Sequence, residues 1–571
     1  MKVAEAIAIA NRSAPPNART EPVSLLCGFT PLHLETYVKA HLKLRIPDRD
    51  IDLKTGLFGD LAGNLERADP GSATAVILEW PDLDPRLGWR HSGGWGAKAA
   101  AQIPDDVARV FERILAAVSR LAARGVVAIC PPTLPVSIPG HTIPAQADAM
   151  RLELDAQLAD FLKRAASLSG LRIISRAEID ANSPPAARHD LRLDLTTGFP
   201  YRSAHANVIA AAVVDVLYPP PPKKGLITDL DDTLWRGIVG EIGPEAVSWD
   251  LARHAHAHAL YQQALAALAD FGVLVGCASK NDLAVVKKTF ERPDLLLSAH
   301  QVFPFEVHWS PKSESVARIL AAWNIAPDSL VFVDDSPTEL AEVQARYPAI
   351  ECLLFPTEDV EGIARLLDRL RKLFGKPSVL EEDRIRSSSL RTAQEIPAAT
   401  PAGNADFLHN AEGVITFDAA TNPHDARPLE LINKTNQFNL NGRRLTEAEW
   451  RARLEDPAAF TLTVSYRDRF GPLGKIAVVS GTIKNRVATV DVWVMSCRAF
   501  SRCIEHHTLK HIYEKYRLER LVLAYTPTDR NGPLQQFLET FTPLEPQPVQ
   551  IPRAAFSANA AVLPHSVTEL P

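Results

Sequence analysis

The stretch Leu226-Ile-Thr-Asp-Leu-Asp-Asp-Thr-Leu-Trp235 decides the fold of this chain. A short hydrophobic run delivers Asp229 and Asp231 two residues apart, with Thr233 two further on. Read as a buried parallel strand, the run stops where the aspartates begin. Strand ends of that kind in an open α/β sheet are where ligands bind. Two carboxylates held there suit a hard cation such as Mg²⁺. One of them can attack a phosphoryl group while its neighbour moves a proton. Taken alone, the same residues also suit a helix N-cap, so the decision falls to the residues downstream.

Three further signals come in order. Val273-Leu-Val-Gly-Cys277 reads as a strand and leads into Ser279-Lys-Asn-Asp282, where a hydroxyl and backbone N–H groups can hold a phosphoryl oxygen. Ser279, Lys280, Asn281 and Thr233 are therefore candidate substrate-binding residues. Trp309-Ser-Pro-Lys312 offers an ammonium for charge on the phosphoryl group. Leu330-Val-Phe-Val333 runs into Asp334-Asp335, more carboxylate for the same cation, and Glu351-Cys-Leu-Leu354 reads as one more strand. Singly, Lys312 looks like a surface lysine and Asp334-Asp335-Ser336-Pro337 like a turn. Together, each at a strand end or before a helix, they predict one site.

Two composition breaks divide the chain. Tyr218-Pro-Pro-Pro-Pro222 can be crossed by neither a helix nor a central strand. Residues 376–406 read as a polar helix and loop, from Glu381-Glu-Asp-Arg384 through Ser387-Ser-Ser389 to Pro397-Ala-Ala-Thr-Pro-Ala-Gly403. The expected domains are 1–218, 223–375 and 407–571. In the first, apolar runs at 23–27, 75–78, 126–130 and 171–174 alternate with helical patterns at 103–124 and 147–169, which predicts a parallel sheet covered by helices. The 223–375 region repeats that logic. In the third, runs at 461–465, 475–479 and 488–493 succeed one another before a helix at about 501–516 and a strand at 521–524. That order predicts an α+β domain with a mostly antiparallel sheet. The fold class is thus α/β and multidomain.

With 571 residues, 46% of them hydrophobic and 23% charged, the chain is long enough for several cores. A formal charge of -6 gives no reason to expect nucleic acid or an anionic membrane as partner. Six cysteines without a C-x-x-C pair predict neither a disulfide framework nor a zinc ribbon. Glu5 interrupts the apolar N-terminal stretch, and no apolar run reaches the roughly 20 residues of a membrane span. The expectation is a cytoplasmic, reduced protein.

The ordered set Asp229/Asp231, Ser279, Lys312 and Asp334/Asp335 resembles the four motifs of the haloacid dehalogenase (HAD) phosphotransferase superfamily. The resemblance implies Asp229 as nucleophile, Asp231 as general acid/base, Ser279 as phosphate-binding hydroxyl and Lys312 as charge stabiliser. It implies Asp229, Asp231, Asp334 and Asp335 around Mg²⁺. The wording DLDDTLWRGIVGEIG, CASKND, WSPKSESV and FVDDSPTEL is similar to the FkbH-like branch, also called HAD-IIIC. Leu431-Ile-Asn-Lys-Thr-Asn-Gln-Phe-Asn-Leu440, Val494-Met-Ser-Cys-Arg498 and Tyr525-Thr-Pro-Thr-Asp-Arg-Asn531 resemble the acetyltransferase-like (GNAT) segment of the same proteins. Where such folds carry a glycine-rich turn, this chain reads Arg498-Ala-Phe-Ser-Arg-Cys503, which leaves a scaffold or a dock for a carrier protein as readings. Cys497 reads as a packing cysteine.

In FkbH-like proteins the implied reaction takes a glyceryl group from 1,3-bisphosphoglycerate, releases phosphate and loads an acyl carrier protein for polyketide synthesis. Many members have a cysteine directly before Ser-Lys-Asn as acyl acceptor. Here Ala278 stands there and Cys277 lies one residue back, a shift that turns a strand side chain to the other face. Two other readings stay open. One is a plain phosphatase of a small or cell-envelope precursor. The other is a non-catalytic carrier-docking or assembly protein. The first region resembles an SGNH hydrolase or a flavodoxin, but Cys27-Gly-Phe-Thr30 lacks the nucleophilic serine. Thr30 reads as a cap, His205 as a helix-start or pocket residue, and the region as catalytically silent. His254, His256 and His258 read as a solvated helix face.

Overall fold

The computed structural model describes residues 1–571 apart from 17, 93–95, 97, 99–100, 137–142, 144, 358, 377–378, 386–389, 391–410, 424, 470, 501, 546–547, 560–562, 564 and 571. Of the expected linker, 381–384 is a short helix, and Ser387–Ser389 and Pro397–Gly403 lie outside the described residues. By its internal contacts the chain falls into two units. One is Met1–Pro220 with Leu445–Glu455, and the other is Pro221–Arg444 with Asp456–Pro571.

The first unit holds β1 (Arg19–Leu26), β2 (Arg49–Thr55), β3 (Ala73–Ile77), β4 (Val127–Cys130) and β5 (Leu171–Ile173). All pair in parallel, in the order β2-β1-β3-β4-β5. Parallel pairing needs crossovers, which helices such as Leu32–Arg45, Ile103–Ala122 and Ala149–Ala166 supply. Strands covered on both faces read as unbroken apolar runs. Every residue of β3 and β4 is buried, which is why both are legible in the sequence. Strand β2, Arg-Asp-Ile-Asp-Leu-Lys-Thr, is not among the expected strands, because as an edge strand it buries few side chains.

The strand order reverses between β1 and β3, the place where such sheets bind ligands. Beside it, the carboxyl ends of β3 and β4 are joined by the chain's own buried polar side chains. Glu79 is buried and accepts from the Thr133 hydroxyl at 2.6 Å, the Tyr201 hydroxyl at 2.7 Å and the Thr133 and Leu134 amides. His205 lies fully buried with Nε2 2.9 Å from Thr133 Oγ1 and Nδ1 2.9 Å from Ser183 Oγ. Since the Thr133 proton goes to Glu79, His205 donates from Nε2 and accepts at Nδ1. Burial, helped by Arg188, pushes His205 down to about 3, so it stays neutral. Thr30 is not the cap: its hydroxyl donates to the Thr197 carbonyl, and Pro31 is the N-cap of the helix Leu32–Arg45.

Leu445–Glu455 joins this unit through a helix, Glu447–Glu455. Glu449 takes a two-pronged bond from Arg49, 2.9 Å on each oxygen, and Arg451 donates to the Ala122 carbonyl. Trp450 is buried beside them.

The second unit holds two sheets. β6 (Gly225–Thr228), β7 (Leu274–Ser279), β8 (Val302–Val307), β9 (Leu330–Asp334) and β10 (Glu351–Leu354) form an all-parallel sheet in the order β10-β9-β6-β7-β8. β8 is not among the expected strands, and neither are Val414–Ala419, Val549–Pro552 and Ser566–Glu569 of the other sheet. β8 contains Pro304, which is tolerated because β8 is an edge strand. The other sheet is mixed. β11 (Val414–Ala419), β12 (Ala459–Asp468), β13 (Gly471–Lys484), β14 (Val487–Met495), β15 (Arg520–Leu523), β16 (Val549–Pro552) and β17 (Ser566–Glu569) run in the order β16-β15-β14-β13-β12-β11-β17. Four of its neighbouring pairs are antiparallel, and β14 with β15 and β11 with β17 are parallel. Its core gathers around Trp493, Phe438, Tyr513 and the helix Ile504–Lys515. The architecture is therefore α/β and multidomain, with two parallel sheets and one mixed sheet. No helix among the described residues is long and apolar enough to cross a membrane.

Candidate active site

In the β10-β9-β6-β7-β8 sheet the winding reverses at β6. Its first and fourth strands in chain order, β6 and β9, are therefore neighbours with a crevice at their carboxyl ends. All five strands are parallel, so every carboxyl end lies on one edge. That is why residues a hundred positions apart meet. The Asp229 amide donates to the Val333 carbonyl at 2.9 Å, which sets the end of β6 against the end of β9.

Lys312, at the start of the helix Lys312–Trp323, reaches this edge and is only 5% exposed. Its Nζ lies 2.8 Å from Asp229 Oδ1 and 2.6 Å from Asp334 Oδ2. Asp229, Asp334 and Asp335 each present one oxygen, all within 4.8 Å of one another. Burial pushes the Asp229 carboxyl up to about 7 against the pull of Lys312, and it raises Asp334 and Asp335 as well. Burial alone would lower the Lys312 ammonium. Asp229 and Asp334 outweigh it and hold Lys312 above its ordinary value. Three carboxylates against one ammonium leave an excess of buried negative charge, which is costly unless a cation or protons balance it. An all-oxygen donor set is the chemistry of a hard divalent ion, and the residues fit one.

Asp231 is not in that group. Its Oδ1 accepts from the Trp235 indole at 2.9 Å and the Val239 amide at 3.0 Å, and its Oδ2 from Asn281 Nδ2 at 2.8 Å. The expectation that its carboxylate joins the cation site is corrected accordingly: its oxygens are held by donors of the turn that comes after it and by Asn281. A left-handed residue, Asp232 at φ 51°, makes that turn, and its side chain accepts from the Gly237 amide. Thr233 does not line a substrate space. Its hydroxyl donates to Asp335 Oδ1 at 3.2 Å and accepts from the Asp335 amide at 3.0 Å, tying the first aspartate loop to the last. Thr233→Val keeps the shape and loses both bonds. The Asp335 N–H is left unpaired, and the expected cost is about 1–3 kcal/mol, read as a lower urea midpoint at unchanged slope.

Ser279 and Asn281 are both buried, with Asn281 Nδ2 3.1 Å from Ser279 Oγ. Lys280 turns outward to Glu339, 2.6 Å away, so its charge is already engaged. Cys277 is fully buried within the core that contains Leu226, Trp235 and Tyr261. Burial raises its thiol far above the reactive range. The structure does not bring this side chain to the crevice.

Several neighbours have no signal in the sequence. His258 is buried rather than solvated. Its Nδ1 donates to the Thr233 carbonyl at 3.0 Å and its ring stacks on Phe355. His254 and His256 are exposed, as expected of that stretch. The Tyr261 hydroxyl donates to Thr228 Oγ1, which donates to the Asp229 carbonyl. Nothing in the spacing of these residues announces a contact with a loop 25 or more positions upstream. Cys497, expected to be packed away, is half-buried.

The fold and this edge define a class: a chain with a Rossmann-like parallel sheet and an acidic, lysine-bridged site at its switch point. Among solved structures, the chain is similar to the N-terminal part of the protein BF1531 from Bacteroides fragilis, which contains a phosphatase domain and was crystallised with Mg. The two are 22% identical. The match covers 66% of this chain and 100% of that one, with a TM-score of 0.51, and at this identity it speaks for the fold. A glucosamine N-acetyltransferase region of a fungal multidomain β-N-acetylglucosaminidase aligns at a TM-score of 0.14 and 10% identity, over 93% of this chain and 64% of that one, and carries no argument. No family model and no curated protein matches the sequence.

Proposed function

We propose that this chain is a Mg²⁺-dependent phosphatase that works through an aspartyl-phosphate. The observation that carries the reading is the buried Asp229–Lys312–Asp334 bridge with Asp335 beside it. The solved neighbour with a phosphatase domain and Mg supports it through the shared fold. Asp229, Asp334 and Asp335 would hold Mg²⁺, which when bound neutralises charge on the phosphoryl oxygens. Asp229 attacks phosphorus through a carboxylate oxygen, and the bond from phosphorus to the substrate oxygen breaks. Asp231 gives the leaving oxygen its proton. A water then attacks the phosphoaspartate, Asp231 takes the water's proton, and phosphate leaves. The three donors on Asp231 fix its orientation for both transfers. The Ser279 hydroxyl and the Asn281 backbone N–H bind phosphoryl oxygens, and Lys312 balances their charge.

The substrate is a phosphorylated small molecule. The wording of the four motifs favours an acyl phosphate such as 1,3-bisphosphoglycerate: Asp229 takes the phosphoryl group of the phosphomonoester at C3, and a carrier-protein thiolate attacks the C1 acyl carbon, whose bond to the phosphate oxygen breaks so that phosphate leaves and the glyceryl thioester forms. The burial of Cys277 supports the carrier thiol or water, rather than this cysteine, as the acceptor of the acyl group. The experiment is incubation with acetyl phosphate or 1,3-bisphosphoglycerate and Mg²⁺, with and without a holo acyl carrier protein. Phosphate release and carrier mass are both read. Release that stops in EDTA is the expected result, and EDTA-insensitive release would sink the cation assignment. A carrier mass raised by one glyceryl group selects transfer, and an unchanged mass selects hydrolysis.

A further inference from the structure

A cavity of about 600 Å³ opens within the second unit, well away from the carboxylates. Lys224 and Leu274 in its wall stand at the amino ends of β6 and β7, whereas Asp229 and Ser279 close the carboxyl ends. The length of β6, at about 3.3 Å per residue, puts the two places on the order of 15 Å apart. The volume lies within the roughly 300–1,000 Å³ of small-molecule sites.

The cavity's chemistry differs from that of the carboxylate edge. Five cationic side chains line it, Lys224, Arg427, Lys434, Arg498 and Arg530, against two carboxylates, Glu430 and Asp529. Glu430 is engaged by Arg427 at 2.7 Å and Lys434 at 2.6 Å. Arg530 meets Asp328 only at 3.8 Å, with both more than half exposed, a pair that solvent largely screens. The chain as a whole is acidic, so this excess belongs to the cavity. Ile325, Ala326, Pro327 and Pro533 give it apolar wall, and Asn436 and Gln437 give it amides.

The asparagine-rich run explains the shape of the cavity's inner end. β14 and β15 pair only over Val487–Val490 and Arg520–Leu523, then part. Phe438–Asn441 fills the gap. The Leu440 amide donates to the Trp493 carbonyl at 2.9 Å, and the Met495 amide to the Phe438 carbonyl at 3.0 Å. Asn441 Nδ2 donates to the carbonyls of both Asp491 and Ala524 at 3.0 Å. The backbone groups of the parting strands are thus already satisfied, and the sheet is closed behind the cavity. A ligand there lies beside the sheet, against Ile325, Pro327 and the helix Ala426–Lys434.

We propose that this cavity is a second binding site, for a small organic phosphate with an uncharged, partly apolar stem. The head lies among the arginines, which suit phosphate geometry, and the stem lies along Ile325 and Pro327. The site stands whatever Asp229 does. The test is calorimetric titration of the full chain in EDTA with phenylphosphonate, a phosphate-like head on an aromatic stem that cannot be hydrolysed. Saturable binding near one equivalent is expected, weakened at least about tenfold in the Arg498→Glu/Arg530→Glu double variant at unchanged Tm. If that variant unfolds, Lys434→Gln takes its place, with weaker binding again expected. Absence of saturable binding to the wild-type chain, or equal affinity in a folded variant, overturns the proposal.

Discussion

Asp229→Asn should lower phosphate release by about 10³-fold or more without unfolding the protein. Asparagine keeps the shape, but its amide is a poor nucleophile. The electrostatics predict a second effect of opposite sign. The site holds two buried carboxylates, Asp229 and Asp334, and the half-buried Asp335 against Lys312, so removing one negative charge relieves repulsion in the cation-free state. In EDTA the variant's denaturation midpoint should therefore equal or exceed that of the wild type. On adding Mg²⁺ the wild type should gain about 2.7 kcal/mol at a hundred times Kd, and the variant less, having lost one ligand oxygen. Loss of function with no loss of stability marks strain held for chemistry. Phosphate release at the wild-type rate would remove Asp229 from the mechanism. A midpoint well below the wild type in EDTA would mean that the carboxylate serves mainly to hold the fold.

Much of this edge is legible in the sequence because parallel strands bury both faces and end together. Leu226–Thr228 and Leu330–Val333 are apolar runs whose polar sequels land on one side of a sheet by topology alone. Sequence order then carries spatial proximity, which is why Asp229, Lys312 and Asp334 group together from their order in the chain. Side-chain direction within the loops is not legible in that way. Spacing places Asp231 with the cation ligands, yet the turn through Asp232 aims it at Trp235, Val239 and Asn281. Thr233 reads as a substrate contact and instead ties Asp335 in place. Two edge strands, β2 and β8, escape detection for a related reason, whereas the edge strands β5 and β10 keep legible apolar runs. β2 and β8 bury too little, or carry a proline, to show the apolar run by which central strands declare themselves. The Asn-rich run of the third region is visible as a feature, but its task depends on where β14 and β15 part, a property of three dimensions.

Lys312→Met should be the most destabilising single change at this site, and its effect should depend on pH and on Mg²⁺. The ammonium is the one cation between two buried carboxylates, at 2.8 and 2.6 Å. Removing one partner of a buried pair costs about 3–5 kcal/mol, since the charge left behind is uncompensated. The carboxyls escape that cost by taking up protons. Asp229 is already raised to about 7 by burial, with Lys312 opposing the rise, and without Lys312 it moves higher. Its folded value lies above its unfolded value, near 3.8, so between the two the folded state binds more protons than the unfolded one. Stability therefore falls as pH rises through that window. In EDTA the variant should approach wild-type stability near pH 5 and lose most by pH 8, over a steeper profile than the wild type shows. Mg²⁺ supplies the missing positive charge, so it should restore the variant's midpoint at pH 8 by more than it raises that of the wild type. It should not restore the rate, because an ion held by Asp229, Asp334 and Asp335 does not replace an ammonium that faces the transferring group. A variant midpoint within about 1 kcal/mol of the wild type in EDTA at pH 8, against the expected loss, would show that Lys312 does not hold these carboxylates. Full rate recovery with Mg²⁺ would show that its charge, and not its position, is all the chemistry requires.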